Sequence, residues 1–235
     1  WQDDGANDGS GYGVYGQRFD AGGSALGGQF LINTTTSSTQ YHNNVAAYTG
    51  GFAAVWSTGS DIYLQRFTND AVKVGAETLV SSVPGGSGAQ SGAQYLPDVA
   101  AWGNGNFIVV WADGSPNDGS ETGIYGRLYN ASTGSFGSSF LVNTSTVSYQ
   151  SFYANEEYAP NVAVLANGDF VVVWPSYHQD SSSTWGVVGQ RFNAAGVKLG
   201  GEFVVNETTA GSQYMPEVTA LSTGGFVVSF YNDNY

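Results

Sequence analysis

One short phrase recurs along the chain and limits what it can fold into. Gly168-Asp169-Phe170-Val171-Val172-Val173-Trp174 is β-branched and apolar on both faces, the pattern of a strand buried between two layers. Residues 51–56 (GFAAVW), 106–111 (NFIVVW) and 225–230 (GFVVSF) repeat it, and Trp1 is the last letter of a fifth copy. The closing aromatic falls at positions 1, 56, 111, 174 and 230, in steps of 55, 55, 63 and 56 residues. A near-fixed period of this size is the mark of a repeat architecture.

Each period also holds an alternating strand, clearest as Gly13-Val14-Tyr15-Gly16-Gln17-Arg18-Phe19, and a Phe-x-Val-Asn strand such as Phe203-Val204-Val205-Asn206. The fourth element is a Pro-x-Val strand, as in Pro160-Asn161-Val162. Four short antiparallel strands per period form the unit of a propeller blade, which buries its faces only by stacking on its neighbours. The expectation is an all-β, β-propeller-like array of four four-stranded repeats, with the Pro-x-Val strand innermost. A β-sandwich or an open β-array is the alternative. The chain reads as one β-repeat domain, 1–235, with a half blade at 1–35, blades at about 40–82, 94–144 and 158–207, and a half blade at 213–235. The Gly/Ser/Ala stretch 81–94 is an insertion, because the repeat phase continues across it.

The ends are out of phase with a whole blade, and residues 230–235 repeat the register of residues 1–6. The half blades are therefore expected to join, closing a ring within one chain or linking chains head to tail. The assembly edges would be Phe226, Val228 and Phe230 on one side and Val14 and Tyr15 on the other. A chain opening on Trp1 reads as a processed protein or a piece of a longer one.

Glycine numbers 34 and charged residues are only 11%, a strand-and-turn composition poor in helix formers. There is no cysteine, which removes disulfides, thiolate metal sites and cysteine nucleophiles. A net charge of −13 with six basic side chains leaves no electrostatic footprint for nucleic acid and disfavours anionic lipid. No apolar run approaches the ~20 residues of a membrane span, so no membrane insertion is expected.

Several residue sets are candidates for function. Arg18, Arg66 and Arg191 occupy one repeat position, with Arg127 one place earlier, and such recurrence favours a structural role. The acidic loops hold Asp3, Asp4, Asp8 and Asp118, oxygen ligands suited to Ca²⁺, against the plainer reading of solvated turns. Asn33, Asn143 and Asn206 are acceptor sequons at one repeat position and Asn130 is a fourth; a structural Asn-Thr turn would recur equally well. Tyr12, Tyr41, Tyr95, Tyr149, Tyr153, Tyr158 and Tyr214 lie in or beside loops, where aromatic rings stack on sugars or cap a core. His42 and His178 occupy unrelated repeat positions, and no nucleophile–base set is readable. For an enzyme, the one place to look is the 145–159 insertion with Glu156 and Glu157.

The phrases GGFVVxW, GVYGQRFDAxG, GxxFxVNT and QxxPxVA together resemble a repeat of very large secreted or surface proteins that carry hemolysin-type calcium-binding or cadherin-like modules. The match spans nearly the whole chain, clearest at residues 9–33 and 160–228, and weakest in the second repeat, where Ser81 replaces the Asn. The resemblance implies a secreted or cell-surface location, an adhesive or structural role and Ca²⁺, and it carries no catalytic residues. The expected function is thus an extracellular structural or adhesive protein, not an enzyme, partnering with itself or with glycans. A carbohydrate-binding propeller lectin is the alternative and a glycan hydrolase the third reading.

Overall fold

A computed structural model describes residues 1–3, 11–37, 39–81, 92–115, 121–146, 148–151, 156–180 and 184–233. Their strands fall into five antiparallel sheets that follow one another along the chain. The first holds β1 (Gln2–Asp3), β2 (Gly13–Phe19) and β3 (Ala25–Leu31). The second holds β4 (Tyr41–Tyr48), β5 (Gly51–Ser57), β6 (Ile62–Thr68) and β7 (Lys73–Leu79). The third holds β8 (Gln94–Ala101), β9 (Phe107–Asp113), β10 (Gly123–Asn130) and β11 (Ser135–Leu141). The fourth holds β12 (Asn161–Val164), β13 (Phe170–Tyr177), β14 (Trp185–Phe192) and β15 (Lys198–Val204). The fifth is the hairpin of β16 (Gln213–Ala220) and β17 (Phe226–Asn232). Strands pair in chain order within each sheet. The leading strands lie side by side, β4 against β8, β8 against β12 and β12 against β16. This is the propeller-like array, with the Pro-x-Val strands on the inside.

The doubly apolar phrase explains the stacking. Along β9, Phe107, Val109 and Trp111 point to the second sheet and pack with Ala53 and Val55. The alternate residues Ile108 and Val110 point to the fourth and pack with Phe170, Val172 and Trp174. Val171 and Val173 of β13 face Val218 of the fifth sheet. Val14 and Ile32 of the first sheet pack with Ala54, Trp56 and Phe67 of the second. Trp56, Trp111 and Trp174 are fully buried, each contributing about 2–3 kcal/mol from burial alone.

Within a sheet, the third strand makes room for the fourth. Gly16, Gly126 and Gly189 sit opposite Phe30, Phe140 and Phe203, and a Cβ at any of the three would stand within 2.9 Å of the ring. The second sheet exchanges both partners at once, pairing Leu64 with Thr78.

The recurring Asn of the Phe-x-Val-Asn strand has a structural task. Asn33, Asn143 and Asn206 are buried, and their Oδ1 atoms accept the backbone N–H of Val14, Ile124 and Val187 at 2.8–2.9 Å. Their Nδ2 atoms donate to the carbonyls of Thr35, Ser145 and Thr208. Ser81, the second sheet's replacement, accepts from the N–H of Ile62 in the same way. These amides are therefore turn-builders, and the expectation that they carry glycans is corrected: the nitrogen that would bear the sugar is buried and already donating. Asn130 is exposed.

The following sheet then clamps the turn. Lys73 of β7 donates to the Asn33 carbonyl and to Thr34 Oγ1, while Glu77 accepts the N–H groups of Thr34 and Thr35. Lys198 and Glu202 of β15 do the same for Asn143, Thr144 and Ser145. Arg127 holds the second sheet's turn through the Val80 carbonyl at 2.7 Å.

The assembly-edge reading is corrected in part. Val14 and Tyr15 are buried, and the chain's own first residues cover them: Gln2 pairs with Val14, and Trp1 and Tyr15 exchange backbone hydrogen bonds. β17, with Phe226, Val228 and Phe230, pairs with β16 and not with β2. No helix among the described residues is long and apolar enough to cross a membrane.

Asn143→Ala should leave the Ile124 N–H buried and unanswered, lowering stability by about 1–3 kcal/mol in urea unfolding. Asn143→Ser, which copies Ser81, should lose less. An alanine variant as stable as the parent would refute the turn-building role.

Candidate functional site

The inner strands do not start straight. The pairing of each with its neighbour slips between Tyr41 and Asn44, between Tyr95 and Asp98, and between Tyr214 and Glu217. At each slip one non-glycine residue takes a left-handed backbone: His42 at φ 51°, Leu96 at 55° and Met215 at 54°. Such bulges cost energy and redirect side chains, and they concentrate beside functional sites. The fourth sheet lacks this bulge. Its inner strand is preceded by a 3-10 turn, Glu156–Tyr158, that ends the 145–159 insertion.

These irregular starts converge on one cavity of about 500 Å³. Its walls include Trp1, His42, Asn44, Leu96, Glu156 and Glu217, drawn from the first, second, third and fifth sheets and the 3-10 turn. Glu156 is well exposed and its Oε1 lies 4.0 Å from His42 Nε2. Burial pushes the His42 pKa down, and the Glu156 charge opposes that shift. Below its usual value the imidazole is neutral at pH 7, so this contact is not an ion pair at that pH.

Beside the cavity lies a buried carboxyl. The second residue of the Pro-x-Val strand is Asn44, Asp98, Asn161 and Glu217 in successive sheets. Asp98 Oδ1 accepts from Asn44 Nδ2 at 2.6 Å and from the Val99 N–H at 2.8 Å, and its Oδ2 accepts the Val162 N–H at 2.8 Å. It therefore ties three inner strands together. Asn161 repeats one link, accepting the Val218 N–H at 2.7 Å. Burial pushes the Asp98 pKa up to about 7, against the pull of the two backbone donors, and the Glu217 charge adds to the rise. Glu217 itself is exposed at the cavity.

An aromatic hollow of about 320 Å³ lies at the other end of the 3-10 turn, lined by Tyr149, Tyr158, Tyr177 and Trp185. Tyr158 packs on Trp185 at 4.5 Å and on Tyr214 at 5.9 Å between ring centres. Glu156 and Tyr158, two residues apart, thus belong to two neighbouring hollows.

The sequence candidates fare unevenly. The insertion with Glu156 does reach the cavity, and His42 joins it. Of the Ca²⁺ set, Asp4, Asp8 and Asp118 lie outside the described residues, and Asp3 contributes a backbone pairing with Gly13. Among the described residues no three His, Asp or Glu side chains gather in a way that would hold a metal. His178 stacks on Tyr177 at 3.9 Å and does not line the cavity that His42 joins. Asp98 and Glu217 escaped the sequence reading; their signal was a polar residue repeated inside an otherwise apolar strand.

No protein-family model matches the chain, and no curated protein matches it either. Solved structures do share the fold. The endo-arabinanase of glycoside hydrolase family 43 from Bacillus licheniformis aligns at a TM-score of 0.50 with 16% identity, over 82% of this chain and 65% of that one. The α-L-arabinanase of Penicillium chrysogenum, solved with arabinobiose, aligns at 0.50 with 17% identity, over 86% and 63%. The family-93 α-L-arabinofuranosidase of Fusarium graminearum, also with arabinobiose, aligns at 0.51 with 15% identity, over 86% and 63%. The chain spans under two thirds of the length of these three. At such identities the likeness establishes the fold alone. The expectation of a structural or adhesive protein that is not an enzyme is corrected at this point, because these three solved proteins of the same fold are an endo-arabinanase, an α-L-arabinanase and an α-L-arabinofuranosidase.

Asp98 gives a pH signature. Its raised pKa means that the folded chain keeps a proton the unfolded chain has lost, so its stabilising contribution is complete below pH 3.8 and is lost as pH rises through about 7. Denaturation midpoints taken from pH 5 to pH 8 should fall with rising pH in the parent and much less in Asp98→Asn. Equal slopes in the two proteins would rule this out.

Proposed function

We propose that the protein processes glycans at the central cavity, as a glycoside hydrolase with Glu156 and Glu217 as its two carboxylates. The observation that carries this reading is that exposed carboxylates from the 3-10 turn and from the fifth sheet open into one cavity, beside Trp1 and Asn44. Glycoside hydrolysis needs one carboxylic acid to protonate the leaving oxygen and one carboxylate to activate water or attack the sugar. The other elements fit a sugar substrate. An indole offers a flat face for the apolar side of a ring, and amide side chains answer hydroxyls. Asp98 acts through Asn44, holding that amide at the cavity wall, and is a positioning residue. The arabinobiose found with two proteins of this fold makes an arabino-oligosaccharide the first substrate to try.

A second reading is supported by the aromatic hollow, whose rings adjoin the cavity through the 3-10 turn. In that reading glycans bind there without turnover, as in a lectin.

The test is product release from a panel of arabinan, xylan and ulvan, analysed by chromatography, with oligosaccharide binding measured in parallel. Glu156→Gln and Glu217→Gln should each lower turnover by at least about a hundredfold, the size of a general acid–base contribution, while binding survives. Binding without products in the parent would favour the lectin reading. Neither binding nor products would sink both.

A further inference from the structure

Six basic side chains serve a chain of net charge −13, and their surroundings differ. Arg18 bonds the Asn69 carbonyl and pairs with Asp70 at 3.2 Å. Arg191 pairs with Asp169 at 3.6 Å. Lys73 and Lys198 lie within the fields of Glu77 and Glu202. Arg66 has neither kind of partner: among the described residues no carboxylate or carbonyl accepts from it, and its guanidinium lies over the Tyr129 ring, 4.9 Å from the centre.

The repeat explains the exception. Arg18 reaches forward to the β6–β7 turn of the next sheet, where Asp70 waits. Arg66 occupies the same position one sheet later and faces the β10–β11 turn. Counted from the paired aromatics Phe67 and Tyr129, the residue there is Ser132, and residues 130–137 contain no carboxylate.

The third sheet departs from the repeat at this place in three consecutive residues. The motif Gln-Arg-Phe of Gln17–Arg18–Phe19, Gln65–Arg66–Phe67 and Gln190–Arg191–Phe192 becomes Arg127–Leu128–Tyr129. Gln65 and Gln190 bond their own strand's backbone, through the carbonyls of Arg66 and Arg191. Arg127 keeps a bond within its own sheet, to the Gly137 carbonyl, and also extends to the Val80 carbonyl of the neighbouring sheet, lying 5.2 Å from the Phe136 ring. Tyr129 adds a hydroxyl that the phenylalanines lack. That hydroxyl is buried, and no hydrogen-bond partner answers it among the described residues. An unanswered buried hydroxyl costs stability, so its presence calls for a partner.

Arg66, Arg127 and Tyr129 line one cleft of about 460 Å³ between the outer strands of the second and third sheets. We propose that this cleft is an oxyanion-binding site, taking a carboxylate or sulfate group between the Arg66 and Arg127 guanidiniums and the Tyr129 hydroxyl. Planar guanidiniums present paired N–H donors that match such a group. The aromatic rings beneath both arginines fix the planes in advance, so little side-chain freedom is lost on binding. The bound group would supply the acid that Ser132 does not. The oxyanion is either free in solution or carried on a sugar as a uronic acid. The site is formed by outer strands, apart from the cavity of the inner strands, and does not depend on the reading of that cavity.

The chain has four arginines, so the Nε–Hε signals of the ¹⁵N-labelled protein are few enough to follow individually. They would be titrated with sodium sulfate and with sodium glucuronate, ionic strength being held constant with sodium chloride. The expected result is a saturable shift of the Arg66 and Arg127 signals, with Arg18 and Arg191 unmoved. Tighter binding of sulfate would identify a free oxyanion, and tighter binding of glucuronate a sugar carboxylate. Arg66→Leu and Tyr129→Phe install residues that other sheets carry at those positions, so the fold should tolerate them, and unchanged Arg18 and Arg191 signals would verify it. Each should weaken binding by about tenfold or more. Parallel, unsaturable movement of all four signals would overturn the proposal, as would undiminished binding by Arg66→Leu.

Discussion

The structure depends on strands that are apolar on both faces. A sheet whose central strand reads Phe-Val-Val-Val-Trp cannot leave either side in water. With Phe170, Val172 and Trp174 committed to one neighbour and Val171 and Val173 to the other, a sheet in the middle of the array is completed only by two others. The five sheets therefore stand face to face instead of spreading into one wide surface. The absence of cysteine follows the same logic, since these interfaces bury enough apolar surface to dispense with covalent staples.

The same stacking dictates where polar chemistry can occur. Between the sheets much of it is answered, as at the buried Asn turns and the Asp98 node, although the Tyr129 hydroxyl is not. Where the inner strands begin, the regular pattern breaks through bulges at His42, Leu96 and Met215 and the short turn at Glu156. The cavity is a product of those breaks. A carboxylate such as Glu217, which in another sheet would be buried like Asp98, is left open there because the environment and not the repeat position decides its state.

The period and the doubly apolar phrase made the four-strand unit and its inner-to-outer order readable in the sequence, because both are consequences of local pattern. The site was legible only in part. Glu156 stood in an insertion, and an interruption of a repeat is visible without a structure. Asp98 and Glu217 replaced Asn44 and Asn161 at a position that looks like ordinary variation, and only the pairing register reveals that these residues meet across sheets. The buried role of Asn33, Asn143 and Asn206 was hidden for a different reason: a sequon and a turn-building Asn-Thr have the same letters, and burial alone separates them. Of the two carboxylates in the proposed reading, Glu156 stood in view in the insertion, while Glu217 sat at a position that the repeat disguised.

Several links between sheets reach back from a later sheet to the one before it. Lys73 and Glu77 grip the turn of the sheet before them, Arg127 grips Val80, and Lys198 and Glu202 grip the turn at Asn143. Likewise Asp98 waits for the Val162 N–H and Asn161 for that of Val218. On a ribosome, the turns at Asn33, Val80 and Asn143 and the inner acceptors Asp98 Oδ2 and Asn161 Oδ1 therefore wait for the next repeat before they are gripped or filled. Consolidation trails translation by about one sheet, so that each new repeat completes the folding of the one already made.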